Sequence, residues 1–285
     1  MNLFYLWVVT KTLLCGCSPD KRRYDFGKVR SKYTIDKIAL LPPQISESSG
    51  LAAASDRESF WTHNDSGGLP ELYRVGLDGE LKEIVRFRSI ENKDWEDLAS
   101  APDGRLWIGD FGNNGNARKD LKIYMLPQAW EKAADEDRIG TITFRYGRQA
   151  EFPEQAKHRN YDCEAFFYHN DHLYLFSKNT GRKPRYTMLY KMPADAGDYT
   201  LQPVDSIRLN ETVTGADISP DGTQFALLSY GKVFFFEVNG GNIDFSRPAY
   251  CLKKYRGQTE AILYQGPDSM LITNEKGGIL QLLAK

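Results

Sequence analysis

An excess of charge of either sign is what this sequence most clearly lacks. Lysine and arginine total 37, aspartate and glutamate 38, and the formal net charge is −1. A general nucleic-acid binder carries a basic excess, so the balance argues against that class. Histidine and cysteine are also scarce, four of each. No Cys-x-x-Cys pair occurs, and His63, His158, His169 and His172 do not fall at metal-ligand spacing. The phosphate-binding loop and the dinucleotide fingerprint are missing. Ser46, Ser48 and Ser49 do not make a nucleophile elbow, which needs Gly-x-Ser-x-Gly between a strand and a helix. Long apolar runs are missing too. The stretch from Leu3 to Leu14, polar only at Thr10, Lys11 and Thr12, is too short to span a bilayer and suits the apolar core of a signal peptide.

What is present is repetition. Asn92 to Asn114 reads as a strand, a Pro102-Asp103-Gly104 turn and a second strand ending in polar, glycine-rich chain. Proline presets φ in such a turn, aspartate caps its own backbone, and glycine supplies a positive φ. The same order recurs four times. It appears at Glu47–Ala53 with Ser59–Asp65, and at Asp162–Phe167 with His172–Asn179. It appears again at Thr214–Ile218 with Gln224–Tyr230, and at Gln258–Leu263 with Met270–Glu275. Set on Leu51, Leu98, Phe166, Ile218 and Ile262, the copies are spaced by 47, 68, 52 and 44 residues. Repeats of about 40 to 50 residues with several short strands mark a β-propeller. The 68-residue interval holds a polar loop, Gly147 to Tyr161, rather than another blade.

The expected fold is therefore all-β, a five-bladed propeller of four-stranded blades, with six blades as the alternative. The last copy ends one strand short, and the strand near Tyr33–Leu41 can supply it, joining the two chain ends in one blade. Gln128 to Asp137 reads as a short helix within a loop. The domain plan is a signal segment over 1–17, a polar basic tether without strand pattern over 18–31, and the propeller over 32–285. Cys163 falls on an inner strand and Cys251 on an outer one, so they are read as two separate buried residues with no disulfide between them.

In a propeller blade the start of the first strand and the end of the second meet on one face. Polar residues gather at those places here. Glu47, Asp94, Glu96, Asp162, Glu164, Asp217 and Glu260 stand at first-strand starts. Asn64, Asp65, Asp110, Asn113, Lys178 and Glu275 stand at second-strand ends. Grouped around one axial mouth, carboxylates must protonate, pair with a cation or bind a metal. Oxygen ligands of this kind suit Ca²⁺ or Mg²⁺, with Glu96, Glu164 and Glu260 as the metal candidates. The competing reading is that these acids cap loop amides and the backbone of neighbouring blades. His63 lies on the same face and is either a general base or a packed strand residue.

Two resemblances add to this. Leu14-Cys15-Gly16-Cys17 resembles the lipobox of bacterial lipoproteins, an aliphatic residue and two small residues before an acylated cysteine. It implies lipidation at Cys17 and a lipid anchor at the bacterial cell envelope, facing the periplasm or the exterior; an ordinary cleaved signal or a frayed N-terminal segment is the alternative. Glu47–Leu51, Trp61–Gly67, Asp94–Asp97, Ile108–Asn114, Asp162–Ala165 and Thr214–Gly222 resemble secreted bacterial propeller proteins of the SdiA-regulated and esterase-like phytase type. That likeness implies the fold and export, and it leaves the activity open. An acid is replaced by Ala216 in the fourth copy, so the acidic ring is expected to be incomplete. The functional expectation is a monomer that binds a small polar ligand, a glycan or a partner protein at the axial face, with or without a divalent cation. The alternative is a metal-dependent phosphoester or ester hydrolase on that face, its catalytic residues unassigned.

Overall fold

A computed structural model describes residues 16–28, 33–131, 136–178, 185–253 and 258–285. The apolar stretch from Leu3 to Leu14 lies outside the described residues. Among them, no helix is long and apolar enough to cross a membrane.

The chain forms a five-bladed β-propeller, as the repeat implies. The inner strands are Ser48–Ala53, Trp95–Ser100, Cys163–His169, Val213–Ile218 and Thr259–Gly266. Each packs against the next, and the last packs against the first, which closes the ring. Antiparallel second, third and outer strands follow in each blade. In the fifth blade the outer strand is Tyr33–Leu40, paired antiparallel with the C-terminal Gly278–Ala284. Closure by the N-terminal strand is thus as expected.

Two blades carry an extra strand that the sequence reading does not contain. Gly197–Leu201, from the third repeat, pairs in parallel with Gly140–Tyr146 and covers the outer edge of blade 2. Gly27–Lys28 does the same for Pro248–Lys253 at the edge of blade 4. Covering an edge satisfies backbone groups that would otherwise template aggregation. The helix expected over Gln128–Asp137 is a turn followed by a 3-10 turn at Glu136–Arg138, with 132–135 outside the described residues.

The blades are held by apolar sheet faces. Between blades 3 and 4 lie Phe167, Phe176, Phe225, Phe234 and Phe236, all buried. Trp61, Trp95 and Trp107 are buried in the first two blades. Each such side chain contributes roughly 1.5–3 kcal/mol by leaving water.

The N-terminal segment corrects the tether reading and gives Cys251 a partner, while Cys163 and Cys251 are not bonded to each other, as expected. Ser18–Tyr24 is a helix rather than a free tether. Phe26 is buried against Phe234 and Phe236, at centroid distances of 5.7 and 5.4 Å. Asp20 is fully buried; its Oδ1 accepts the Asn210 N–H at 2.9 Å and its Oδ2 lies 3.6 Å from the Lys232 ammonium. Cys17 is disulfide-bonded to Cys251 on the outer strand of blade 4. A thioether-linked lipid needs the same sulfur, so lipidation at Cys17 and this disulfide exclude one another. Cys163 is a buried free thiol. A lipid on Cys17 leaves Cys251 without a partner, which is why the lipobox resemblance gives no sign of this bond.

Candidate functional site: an acidic axial face

The site begins with a break in pairing. At the start of every inner strand the register with the second strand slips, between Ser48 and Leu51, Trp95 and Asp97, Cys163 and Ala165, Val213 and Gly215, and Thr259 and Ala261. In blades 2 to 5 the skipped residues are Glu96, Glu164, Thr214 and Glu260. A bulge of this kind frees a side chain from the strand's alternation and re-aims it. Blade 1 skips Ser49 and Gly50. The same register corrects the alignment of the fourth copy. Its counterpart of Leu98 is Ala216, not Ile218, and its counterpart of Glu96 is Thr214.

The shift explains why Asp217 is not at the mouth. It sits further along its strand, opposite Ala226, and its carboxylate accepts the backbone N–H of Ile218 at 2.8 Å and of Tyr264 at 2.7 Å in the next blade. Asp97 makes the same bridge from blade 2, to Leu98 at 2.8 Å and Phe166 at 3.1 Å. For these two acids the blade-capping reading holds.

The other acids converge. Asp65, Asp94 and Glu96 offer oxygens within 4.8 Å of one another, and so do Glu96, Asp162 and Glu164. Glu96 belongs to both groups. Glu260 lies outside both triads, half-buried, and feels the charge of Glu164, Lys178 and Glu275. Glu47 and Glu275 are exposed at the rim. Of the three metal candidates, the structure therefore brings Glu96 and Glu164 together and leaves Glu260 beside them.

The remaining predicted residues hold the frame. Asn64 accepts the Glu47 N–H at 3.2 Å and donates to the Gln44 carbonyl at 2.9 Å. Asp110 is buried; it accepts the Asp94 N–H at 3.1 Å and pairs with Arg118 at 2.9 Å. Asn113 donates its backbone N–H to Asp162 at 2.9 Å and its amide to the Tyr161 carbonyl at 2.7 Å, and its side-chain oxygen accepts the N–H groups of Ala117 and Arg118 at 2.8 Å each. Lys178 follows directly on the second strand of blade 3, where its N–H donates to the Asp162 carbonyl at 2.8 Å. Its ammonium bonds Glu164. His63 is fully buried, with Nδ1 2.9 Å from the Asn64 carbonyl, and burial pushes its pKa down to about 4. It is a packed strand residue and not a base open to substrate.

Arg118 and Gly112 are contributors that the sequence reading does not assign to the site, and Tyr230 is one that it places at a second-strand end without a role. Arg118, eight residues after Asp110, lies 4.0 Å from Asp94 and donates to the Gly112 carbonyl at 2.8 Å. Tyr230 is buried and within electrostatic reach of Glu260, Lys178 and Glu164. Gly112 passes so close that a Cβ there would stand 2.1 Å from a Glu96 oxygen and 2.4 Å from the Asp94 carboxyl carbon. The periodic pattern marked strands, and none of these three residues lies within one.

Crowding and burial make ionisation costly. Burial, then Glu164, Asp65 and Asp162, hold Glu96 well above the usual carboxylate range. Burial raises Glu164 to about 8, against the opposing pull of Lys178. Burial and the neighbouring Asp65 raise Asp94 to about 6. Asp65 and Asp162 are also raised, chiefly by burial, and so is Glu260, where Glu164 adds to burial. Burial would lower the Lys178 pKa, but Glu164, Asp162 and Glu96 outweigh it and keep the ammonium charged. The arrangement can hold a divalent cation on oxygen ligands or relay a proton, and one ammonium serves several acids.

No protein-family model matches the sequence, and no curated protein matches it. Solved structures do resemble it in shape. A PQQ-bound aldose sugar dehydrogenase from Streptomyces coelicolor aligns with a TM-score of 0.51 at 10% identity, over 90% of this chain and 99% of that one. A putative gluconolactonase aligns with a TM-score of 0.51 at 12% identity, over 90% and 93%. A luciferin-regenerating enzyme gives 0.51 at 11% identity, over 88% and 95%. At such identities the likeness shows the β-propeller fold and nothing finer.

Proposed function

We propose that the axial face binds a divalent cation, Ca²⁺ or Mg²⁺, and through it a small polar ligand or glycan. The observation that carries this is the pair of carboxylate triads sharing Glu96, with one ammonium against them. Buried anions in such number cost several kcal/mol each unless a cation compensates them. Titration with Ca²⁺ or Mg²⁺ during thermal melting tests the reading. A saturable rise in Tm is expected, lost in Glu96→Gln; no shift with either ion removes the metal.

A second reading is hydrolysis of a phosphoester or ester, favoured by Glu164, a member of the second triad whose carboxyl burial pushes up to about 8. Glu164 would take a proton from the attacking water and pass it to the departing alkoxide as the ester bond breaks. Turnover in a phosphoester and ester screen, abolished by a chelator, decides for it. Saturable binding without turnover decides for the binding module.

We also propose that the protein lies outside the cytoplasm, as the SdiA-regulated and phytase-like resemblance implies. A Cys17–Cys251 disulfide suits an oxidising compartment. Intact mass of the protein from its native host tests both points. A mature chain short of two hydrogens supports export with the disulfide, and a diacylglyceryl mass on Cys17 replaces it with an anchor.

A further inference from the structure

The two triads are not equivalent. Glu96, Asp162 and Glu164 face the Lys178 ammonium, which bonds Glu164 directly and whose charge Asp162 and Glu96 also feel. In the triad of Asp65, Asp94 and Glu96, Asp65 and Glu96 feel the Lys178 charge without an ion pair to it among the described residues, and Arg118 lies 4.0 Å from Asp94, turned chiefly toward Asp110, at 2.9 Å. In the second triad Asp162 is fully buried. One of its oxygens accepts the Asn113 N–H at 2.9 Å, and the other, Oδ2, has no hydrogen-bond partner among the described residues. A carboxylate oxygen buried without a partner is costly, and it marks a place built to receive a cation or a donor.

We propose that the Lys178 ammonium stands in for a second cation, so that the native protein holds one divalent ion, at Asp65, Asp94 and Glu96, and removing the ammonium opens a second cation site at Glu96, Asp162 and Glu164. This rests on the reading of the axial face as a cation site. A divalent ion in the second triad would have to sit beside the ammonium among the same three carboxylates, and two such close cations repel. With the ammonium gone, the same three acids with a free Oδ2 form an oxygen-only ligand set of the kind Ca²⁺ takes.

The test is metal stoichiometry with Ca²⁺ alone, by calorimetric titration and by metal analysis after dialysis, on the full chain. The wild type is expected to bind one ion, Lys178→Met two, and Lys178→Arg one. Melting in the presence of Ca²⁺ confirms that each variant is folded. One ion in folded Lys178→Met, or two in the wild type, overturns the proposal while leaving the cation site itself in place. No ion in any of the three overturns the reading under it as well. If Lys178→Met does not fold, two variants in the Lys178 background decide. Asp65→Asn is expected to weaken Ca²⁺ binding more than tenfold and more than Asp162→Asn does; the reverse order means that the ion displaces the ammonium, and the proposal fails.

Discussion

Gly112 and Gly50 set how closely backbone can approach at the two levels of this site. The Cβ of an alanine at Gly112 would meet Glu96 and Asp94 at 2.1–2.4 Å, and only the side chains of those acids can yield. Gly112→Ala is therefore expected to leave the fold intact and to weaken Ca²⁺ or Mg²⁺ binding more than tenfold, read by titration. At Gly50 the obstacles are the buried His63 ring, with Nε2 at 2.6 Å, and backbone, with Leu98 N at 2.6 Å and the Asp97 carbonyl carbon at 2.8 Å across the blade boundary. Gly50→Ala must push two inner strands apart, at a cost of about 1–3 kcal/mol. Denaturant unfolding checks it, and wild-type stability there means the inner strands are not in contact as described.

The strands were legible because their apolar and aromatic residues alternate and glycine-rich turns punctuate them. The N-terminal helix was not, because Ser18-Pro19-Asp20-Lys21-Arg22-Arg23-Tyr24 is polar and binds through one acid, one tyrosine and a remote disulfide. The extra strand Gly197–Leu201 is five residues long and pairs with another repeat's blade, so no local signal assigned its place. For the site, the positions at strand starts and ends named most of the acids that meet. They missed the two-residue shift of the fourth copy, since Pro220-Asp221-Gly222 drew the alignment to Ile218 while the bulge lies upstream, between Val213 and Gly215. The N-terminal element carries its own prediction. Cys17→Ser is expected to lower stability under non-reducing conditions by about 2–4 kcal/mol, since the bond closes a loop of 234 residues. Cys251→Ser is expected to match it, and the double variant to add nothing further. Unchanged melting in all three means that the bond does not hold the segment.

A ring that gathers acids on one face should respond to pH against the usual trend. In the unfolded chain carboxyls titrate near 4, whereas in the folded protein Glu164 is raised to about 8, Asp217 to about 7 and Asp94 to about 6, in each case chiefly by burial. Between those limits the folded state binds more protons than the unfolded state, so stability falls as pH rises. His63 acts in the opposite sense. Burial lowers its folded pKa to about 4, so its contribution is complete above the unfolded value and is lost as pH falls. Above about pH 6.5 only the fall remains. With a chelator present, Tm is accordingly expected to drop between pH 6.5 and 8, as the unfolding free energy falls by up to ~1.4 kcal/mol per pH unit for each proton held in excess. Calcium should oppose that drop, because it binds the ionised acids and its affinity grows as they lose protons. The portion due to Asp217 should persist with Ca²⁺, since that residue bridges blades 4 and 5 away from the triads. Glu164→Gln should shallow the chelated profile, and Asp217→Asn should remove a share of the fall that Ca²⁺ leaves. A chelated protein whose Tm stays level or rises across this range would mean that the acids ionise freely, and the need for a cation would go with it.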